Sequence, residues 1–140
     1  MSWDVYIFAP PAGVDHVEDI PSDYSALPLG TVADIQQRIR DQLPYAGFAE
    51  AGSMEAGWGG VTGPGWNIEI NLGSDDPVVG FMLHIRGSGD DVLPVAARIA
   101  AAAGGRAWDI PGERFLSGDP TETDGWHGFQ RYRDQILGDG

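Results

Sequence analysis

The sequence contains no cysteine and no lysine, and both absences limit what the protein can do. Without cysteine there is no disulfide bond, no thiolate nucleophile and no cysteine-ligated zinc ion. All eight basic residues are arginine, against 21 acidic residues, and the formal net charge is −13. The arginines form no cluster that would neutralise successive phosphates, which argues against a nucleic-acid-binding protein. The charge allows a basic protein partner, whose approach the field of the chain would steer, and it also fits a role in solubility alone.

Long apolar runs are also missing from the chain. No window approaches the roughly 20 apolar residues that a membrane-spanning helix requires. The first residues, 1–8, lack the basic start and apolar stretch of an export signal and alternate like a β-strand. We therefore expect a cytoplasmic protein that does not associate with membranes. A length of 140 residues indicates a single domain, 1–140.

The clearest structural signal is an alternation of apolar and polar residues on both sides of a turn at 73–77. A period of two is typical of strands that bury one face only. We predict an antiparallel hairpin over 66–86, paired for example with Asn67 opposite His84. The predicted buried row of this hairpin is Trp66, Ile68, Ile70, Leu72, Val79, Phe81, Leu83 and Ile85.

Two segments have the apolar spacing of helices. In the first, Thr31 is a suitable N-cap and Pro44 ends the pattern, which predicts a helix between them. In the second, residues 92–103 are nearly all helix formers, Pro94 fits only a first turn, and Gly104 is typical of a C-cap. The predicted packing stripes are Val32, Ile35, Ile39 and Leu43 in the first helix, and Val92, Val95, Ile99, Ala102 and Ala103 in the second.

Shorter elements complete a predicted order of β-α-(β)-β-β-α-β-α. Strands are predicted over 3–9, 58–62 and 106–110, and a last helix over 125–137. Two helices separated by an antiparallel hairpin, with a crossover on either side, indicate an α+β fold of ferredoxin-like type, a two-layer sandwich. Right-handed crossovers would place the two main helices on one face of the sheet.

The opposite face of the predicted sheet carries polar and ionisable side chains. They are Asp4, Tyr6, Asn67, Glu69, Asn71, His84, Arg86 and, on the strand 106–110, Asp109. A carboxylate, an imidazole and a guanidinium on a rigid sheet would support general acid–base catalysis if a pocket enclosed them. A half-exposed sheet also carries such residues simply for cross-strand pairing and solvation. Both interpretations remain open at this point.

No cofactor or metal site is predicted. The histidines at 16, 84 and 127 have no helical spacing, and the acidic pairs 75–76 and 90–91 lack the ligand pattern of a calcium loop. No serine has the surroundings of a nucleophile elbow. Since no catalytic motif is recognisable, we expect a binding protein in preference to an enzyme.

Seven short sequence blocks are distributed over most of the chain. They are Ser2-Trp3-Asp4, Asp19-Ile20-Pro21 with Asp23-Tyr24, Pro28-Leu29-Gly30, Trp58-Gly59, Ile68-Glu69-Ile70-Asn71, Leu83-His84-Ile85-Arg86-Gly87 and Phe115-Leu116. With these blocks the chain resembles a family of small acidic bacterial proteins, mostly uncharacterised. Some of them are similar to the immunity proteins encoded beside secreted polymorphic toxins. No block is a catalytic motif, and the resemblance implies no catalytic residues.

Two functional hypotheses follow. The first is a non-catalytic, immunity-type protein that inhibits a basic toxin by binding it. Its predicted partner-binding residues are Asp19, Asp23, Asp75, Asp76 and Trp58. The alternative is a small-ligand binder or hydrolase-like enzyme that uses Glu69, His84 and Arg86, in a pocket beneath the last helix. A homodimer through the polar face or through an unpaired edge strand would hide the same residues.

Overall fold

The chain forms a mixed α+β structure, as its sequence predicts. The computed structural model describes residues 2–48, 57–117, 119 and 121–138. The described strands are β1 (Trp3–Phe8), β2 (Gly47–Phe48), β3 (Trp58–Thr62), β4 (Trp66–Asn71), β5 (Gly80–Gly87), β6 (Arg106–Asp109) and β7 (Arg114–Phe115). The described helices are α1 (Val32–Gln42), α2 (Val92–Ala103) and α3 (Asp124–Gly138), besides a single 3-10 turn at Val17–Asp19. The strands form one antiparallel sheet in the order β2-β3-β4-β5-β1-β6-β7.

Strands β4 and β5 form the predicted hairpin, but with a pairing that differs by two residues from the expected one. Asn67 lies opposite Arg86, and His84 lies opposite Glu69. The expected pairing of Asn67 with His84 was therefore wrong. A shift of two residues keeps every side chain on its own face, and the apolar rows of both strands remain buried.

The shift arises in the connection between β4 and β5, which is longer than the turn expected at 73–77. Val78 bonds instead to the segment before α1. Leu29 N donates to Val78 O at 2.7 Å, and Val78 N donates to Gly30 O at 2.8 Å. Val78 is thereby buried, whereas 41% of Val79 is exposed. The expectation that Val79 is buried was wrong, because this bridge turns the other valine inward.

The core lies between one face of the sheet and the helices α1 and α2. Strand β1 runs between β5 and β6, and its inward side chains Trp3, Val5 and Ile7 are buried. Helix α1 begins where predicted, because the Thr31 side chain accepts a hydrogen bond from Asp34 N at 3.1 Å. The buried side chains of the two helices and their ends are Ile35, Ile39 and Leu43, and Val92, Leu93, Ala96, Ile99, Ala100 and Ala103.

The packing stripe of α2 differs in part from the predicted one. Val95 and Ala102 are only partly buried, whereas Ala96 and Ala100 are fully buried. The small alanine side chains let the helix lie close to the elements it packs against. Gly104 ends the helix in the left-handed conformation, with φ at 85°, as predicted.

Helix α3 lies on the same side of the sheet as the core. Trp126 is fully buried, and its ring centroid is 5.3 Å from that of Trp3. Trp126 Nε1 donates to Gly89 O at 3.1 Å, and Arg133 Nη1 donates to Gly87 O at 2.6 Å. These bonds hold α3 against the segment that joins β5 to α2, away from the polar side of the sheet. None of the described helices is long and apolar enough to cross a membrane.

Candidate functional site

The outward side chains of β3, β4, β5 and the start of β1 share one polar surface, which we call the open face. Cross-strand pairing places Asp4 and Glu69 on either side of His84. The same pattern puts Trp58 opposite Asn71. The open face consists of Asp4, Trp58, Asn67, Glu69, Asn71, His84 and Arg86, all of which are candidates from the sequence.

Asp4 and His84 form the centre of the open face. Asp4 Oδ1 accepts a hydrogen bond from Ser2 Oγ at 2.6 Å and lies 2.8 Å from His84 Nδ1. Partial burial on its own would raise the pKa of Asp4. The hydrogen bonds from Ser2 and His84 and the charges of the two bases, His84 and Arg86, outweigh burial and lower this pKa below its ordinary value of 3.8. The Asp4 carboxylate therefore stays ionised and fixes the orientation of the imidazole.

Two further contacts order the surroundings of this pair. Arg86 Nη1 donates to Glu69 Oε2 at 3.0 Å. The ring of Trp58 lies 6.5 Å from the His84 imidazole at an interplanar angle of 22°, and 38% of Trp58 remains exposed. Half-exposed ion pairs contribute about 1 kcal/mol or less each to the free energy of unfolding. These pairs therefore fix side-chain directions more than they stabilise the fold.

The open face is broad and shallow. A solvent-open depression of about 530 Å³ runs along β3 and β4 over Gly60, Asn67 and Glu69. Gly60 lies opposite Glu69, and its missing side chain leaves the ion pair of Glu69 uncovered. The sequence-based alternative places a concave pocket beneath the last helix, but α3 packs on the other side of the sheet.

Tyr6 lies on the outer side of the sheet but in a separate, covered part of it. Its ring stacks on that of Phe8, with centroids 5.6 Å apart. The loop that follows β1 is tied over this part, because Tyr24 Oη donates to Ala9 O at 2.6 Å. The Tyr6 hydroxyl rests against Gly80, where any side chain would collide with it. Tyr6 thus packs a loop onto the sheet and is not part of the open face.

Asp109 does not lie on the polar side of the sheet, and that prediction was wrong. It is opposite Val5, on the core side, and is fully buried. The alternation of β6 turns Trp108 outward, where its ring packs 6.2 Å from Phe8, and this turns Asp109 inward. Asp109 Oδ1 accepts hydrogen bonds from Trp3 Nε1 at 2.9 Å and from Gly112 N at 3.1 Å.

The acidic loop residues lie at one end of the sheet. Because Phe8 pairs with Gly80, the loop after β1 and the loop before β5 leave the sheet at the same end. The candidate partner-binding aspartates in these loops are exposed: Asp19, Asp23, Asp75 and Asp76. One of them also has a structural contact, since Val32 N, at the start of α1, donates to Asp76 Oδ1 at 3.3 Å.

Sequence reasoning missed the contribution of Ser2 to the open face. The available signal was its spacing, because residues two apart on a strand share a face and Ser2 precedes Asp4 by two. Within the described part of the chain, no group of three histidine or acidic side chains is placed to hold a metal ion. Comparisons with protein-family models, with curated proteins and with solved structures find no match to this chain.

Proposed function

We propose that the protein is a non-catalytic binding protein whose open face covers a basic surface of a partner protein. The observation that carries this proposal is a flat surface on which the ionisable side chains are already paired, Asp4 with His84 and Glu69 with Arg86. General acid–base catalysis needs groups within reach of a substrate held in a pocket that limits access of water. A broad surface with a half-exposed tryptophan is more typical of a protein interface, because tryptophan is enriched among interface anchors.

We propose further that the partner is a bacterial toxin and that the protein acts as its immunity-type inhibitor. The sequence resembles a family of small acidic bacterial proteins, some of which are similar to immunity proteins, and this resemblance supports this class of partner. The net charge of −13 supports a basic surface on the partner. Exposed Asp19, Asp23 and Asp75 would accelerate the encounter at low salt. An inhibitor of this kind protects the cell that makes the toxin, and we propose the cytoplasm as its location.

A second candidate function is a small-ligand binder or hydrolase-like enzyme that uses Glu69, His84 and Arg86. The observation in its favour is the hydrogen bond between Asp4 and His84 Nδ1, because a carboxylate on one ring nitrogen orients the other for proton transfer. The shallow shape of the open face, on which His84 lies between Asp4 and Glu69, favours the first proposal over this one. NMR of the His84 ring signals separates the two, because a small ligand that contacts the imidazole would move these signals in a saturable way.

We also infer that β4, β5, β1 and β6 form a ferredoxin-like, two-layer unit with α1 and α2. The support is the order of these four strands in the sheet. Helix α1 follows β1 in the chain and α2 follows β5, and the buried side chains of both helices belong to one core cluster. In this interpretation β2 and β3 extend one edge of the unit and β7 extends the other.

The proposed function is tested by affinity capture from the lysate and secreted fraction of the producing organism. The wild-type protein should retain a basic protein at low salt and release it as the salt concentration rises. Trp58→Ala should retain far less of that protein, because it removes the exposed aromatic anchor.

The matched control is Asp41→Asn, which changes an exposed acidic residue of α1 away from the open face. This variant should capture the same protein as the wild type. Equal capture by the Trp58 variant, or retention of only acidic proteins, would contradict the proposal.

A further inference from the structure

A groove between α3 and the turn that joins β6 to β7 is a second candidate site. Of its lining residues, Ser2 also contributes to the open face through its hydrogen bond to Asp4. Its volume is about 490 Å³. Cavities of this size are typical of small-molecule sites. The groove is defined by the walls Pro111, Phe129 and Tyr132 and by the floor Gly112, Gly125 and Gly128.

The walls of the groove are apolar and well supported. The ring of Phe129 stacks on that of Trp126 at 5.9 Å with an interplanar angle of 10°. Trp126 is itself fully buried against Trp3, so this wall is continuous with the core. Tyr132, on the next turn of α3, is 58% exposed, and its side chain lines the groove. These two rings offer apolar contact to a ligand.

The carboxylate of Asp109 lies directly beneath the glycine floor. Its Oδ1 has two hydrogen-bond donors, but Oδ2 is buried and has no partner among the described residues. A side chain at either Gly112 or Gly125 would collide with Oδ2. The backbone of these two glycines therefore separates the unpaired oxygen from the groove. An anionic oxygen without a partner in such a site costs free energy, which a nearby positive charge would offset.

Other charges at the groove do not supply that positive charge. Arg114 Nη1 lies 3.7 Å from Asp124 Oδ2 at the rim, and the two charges offset each other. Arg131 Nη2 lies at the other end of the floor, 3.9 Å from the position of a Cβ at Gly128, whereas the Asp109 carboxylate lies against Gly112 and Gly125. The groove therefore combines an apolar, partly aromatic wall with a negative charge beneath the Gly112 and Gly125 end of its floor.

We propose that this groove binds a small organic cation with an apolar body. Its ammonium group would lie over the glycine floor above Asp109, and its body would contact Phe129 and Tyr132. Coulomb attraction to a buried carboxylate and contact of a cation with aromatic faces both favour such a ligand over a neutral or anionic one of the same shape.

The test is a set of three probes of nearly equal shape: phenethylammonium, phenethyl alcohol and phenylacetate. Binding to the full chain is followed by NMR through the amide signals of Gly112, Gly125 and Gly128. We expect saturable shifts with phenethylammonium, an affinity for phenethyl alcohol about tenfold weaker, and no shifts with phenylacetate. Equal binding of the anion, or no saturable shift with the cation, would overturn the proposal.

Two variants locate the binding. Gly128→Leu should abolish the shifts by occupying the groove, and it is expected to fold because a Cβ at this position meets only Arg131 Nη2, at 3.9 Å. Gln135→Leu, on an exposed position of α3 that does not line the groove, should leave binding unchanged. Unaltered binding to Gly128→Leu would place the cation elsewhere and overturn the proposal.

Asp109→Asn tests the source of the preference for the cation. This variant keeps the size of the side chain and should reduce the preference for phenethylammonium over phenethyl alcohol to about twofold or less. An undiminished preference would show that Asp109 is not responsible. If the variant does not fold, the three probes on the wild type, on Gly128→Leu and on the control Gln135→Leu decide the question. Cation binding in the groove and partner capture through Trp58 are measured separately. A negative result for one proposal therefore leaves the other unaffected.

Discussion

Asp4 and Asp109 lie on neighbouring strands of the same sheet, yet their surroundings are opposite. Asp4 is on the open face, half-exposed, and bonded to Ser2 and His84. Asp109 is fully buried beneath α3, and one of its oxygens has no partner among the described residues. The side of the sheet, not the residue type, decides what the carboxylate does.

The two sides of the sheet differ in what their carboxylates contribute to the stability of the fold. The half-exposed pairs of the open face are weak contributors to the fold, so they are free to be arranged for a partner. The carboxylate of Asp109 joins Trp3 of β1 to Gly112 of the following turn and touches Gly125 of α3. A change there should alter how α3 is held, and a change on the open face should alter only what the surface binds.

The largest expected effect is that of Asp109→Ala. It leaves Trp3 Nε1 and Gly112 N without their buried acceptor and should lower the free energy of unfolding by about 3 kcal/mol. Asp4→Ala, the matched change on the open face, should cost about 1 kcal/mol or less. Urea denaturation followed by tryptophan fluorescence measures both. Similar losses in the two variants would remove the distinction between the two faces.

A second pair of variants probes the contact between Asp109 and α3. Gly125→Ala should destabilise the protein by about 2 kcal/mol, because the new methyl group would overlap Asp109 Oδ2. Gly128→Ala, one turn further along the same helix, should stabilise it by about 0.5–1 kcal/mol, since it gains helix propensity and meets no close atom. The difference in sign, measured by thermal or urea unfolding, is the result to check.

The ionised side chain of Asp4 should make the free energy of unfolding depend on pH. Because the pKa of Asp4 is lower in the folded state, its ionised form contributes stability above the ordinary pKa of 3.8. This contribution is lost as the pH falls below 3.8 through the folded-state pKa. Since the side chain is 45% exposed, we expect a loss below about 1 kcal/mol.

The control for this effect is Asp4→Asn. Between neutral and strongly acidic pH, the free energy of unfolding of this variant should fall less than that of the wild type. The difference should equal the contribution of Asp4, below about 1 kcal/mol. An identical pH dependence in the two proteins would mean that Asp4 is not held in its ionised form by its neighbours.

The smallest effect on stability is expected for Trp58→Ala. Trp58 is 38% exposed and stacks on the His84 imidazole at the surface of the sheet, so its removal should cost about 1 kcal/mol or less. Binding of the partner should nevertheless be lost, because exposed tryptophans anchor interfaces. Calorimetry of the variant alone, beside the capture experiment, separates the two. A loss of stability as large as that of Asp109→Ala would make Trp58 a structural residue.

Much of the fold could be predicted because its main elements have strong local signals. The alternation in β4 and β5 locates the hairpin and assigns both faces, and Thr31 and Gly104 mark helix boundaries by their capping preferences. The residues of the open face follow from the same alternation. The strands β2 and β7 were not predicted, because segments of two residues carry no periodicity.

The remaining features depend on contacts between segments far apart in the chain. The bridge between Gly30 and Val78 lengthens the β4–β5 connection and shifts the pairing, and nothing near Val78 indicates it. The inward direction of Asp109 depends on Trp108 facing outward, which turns both of its neighbours, Ala107 and Asp109, toward the core. The position of α3 depends on two contacts of Trp126, its ring contact with Trp3 and its hydrogen bond to Gly89 O. Such long-range pairings cannot be derived from local patterns.

Whether the open face is the binding surface can be measured by hydroxyl-radical footprinting of the wild-type protein, free and in complex with a captured partner. Trp58 and Tyr132 are both exposed, on opposite sides of the sheet, so each reports on one surface of the same molecule. We expect the partner to reduce oxidation of Trp58 strongly and to leave oxidation of Tyr132 unchanged. Unchanged oxidation of Trp58 in a saturated complex would contradict the assignment of the open face as the binding surface.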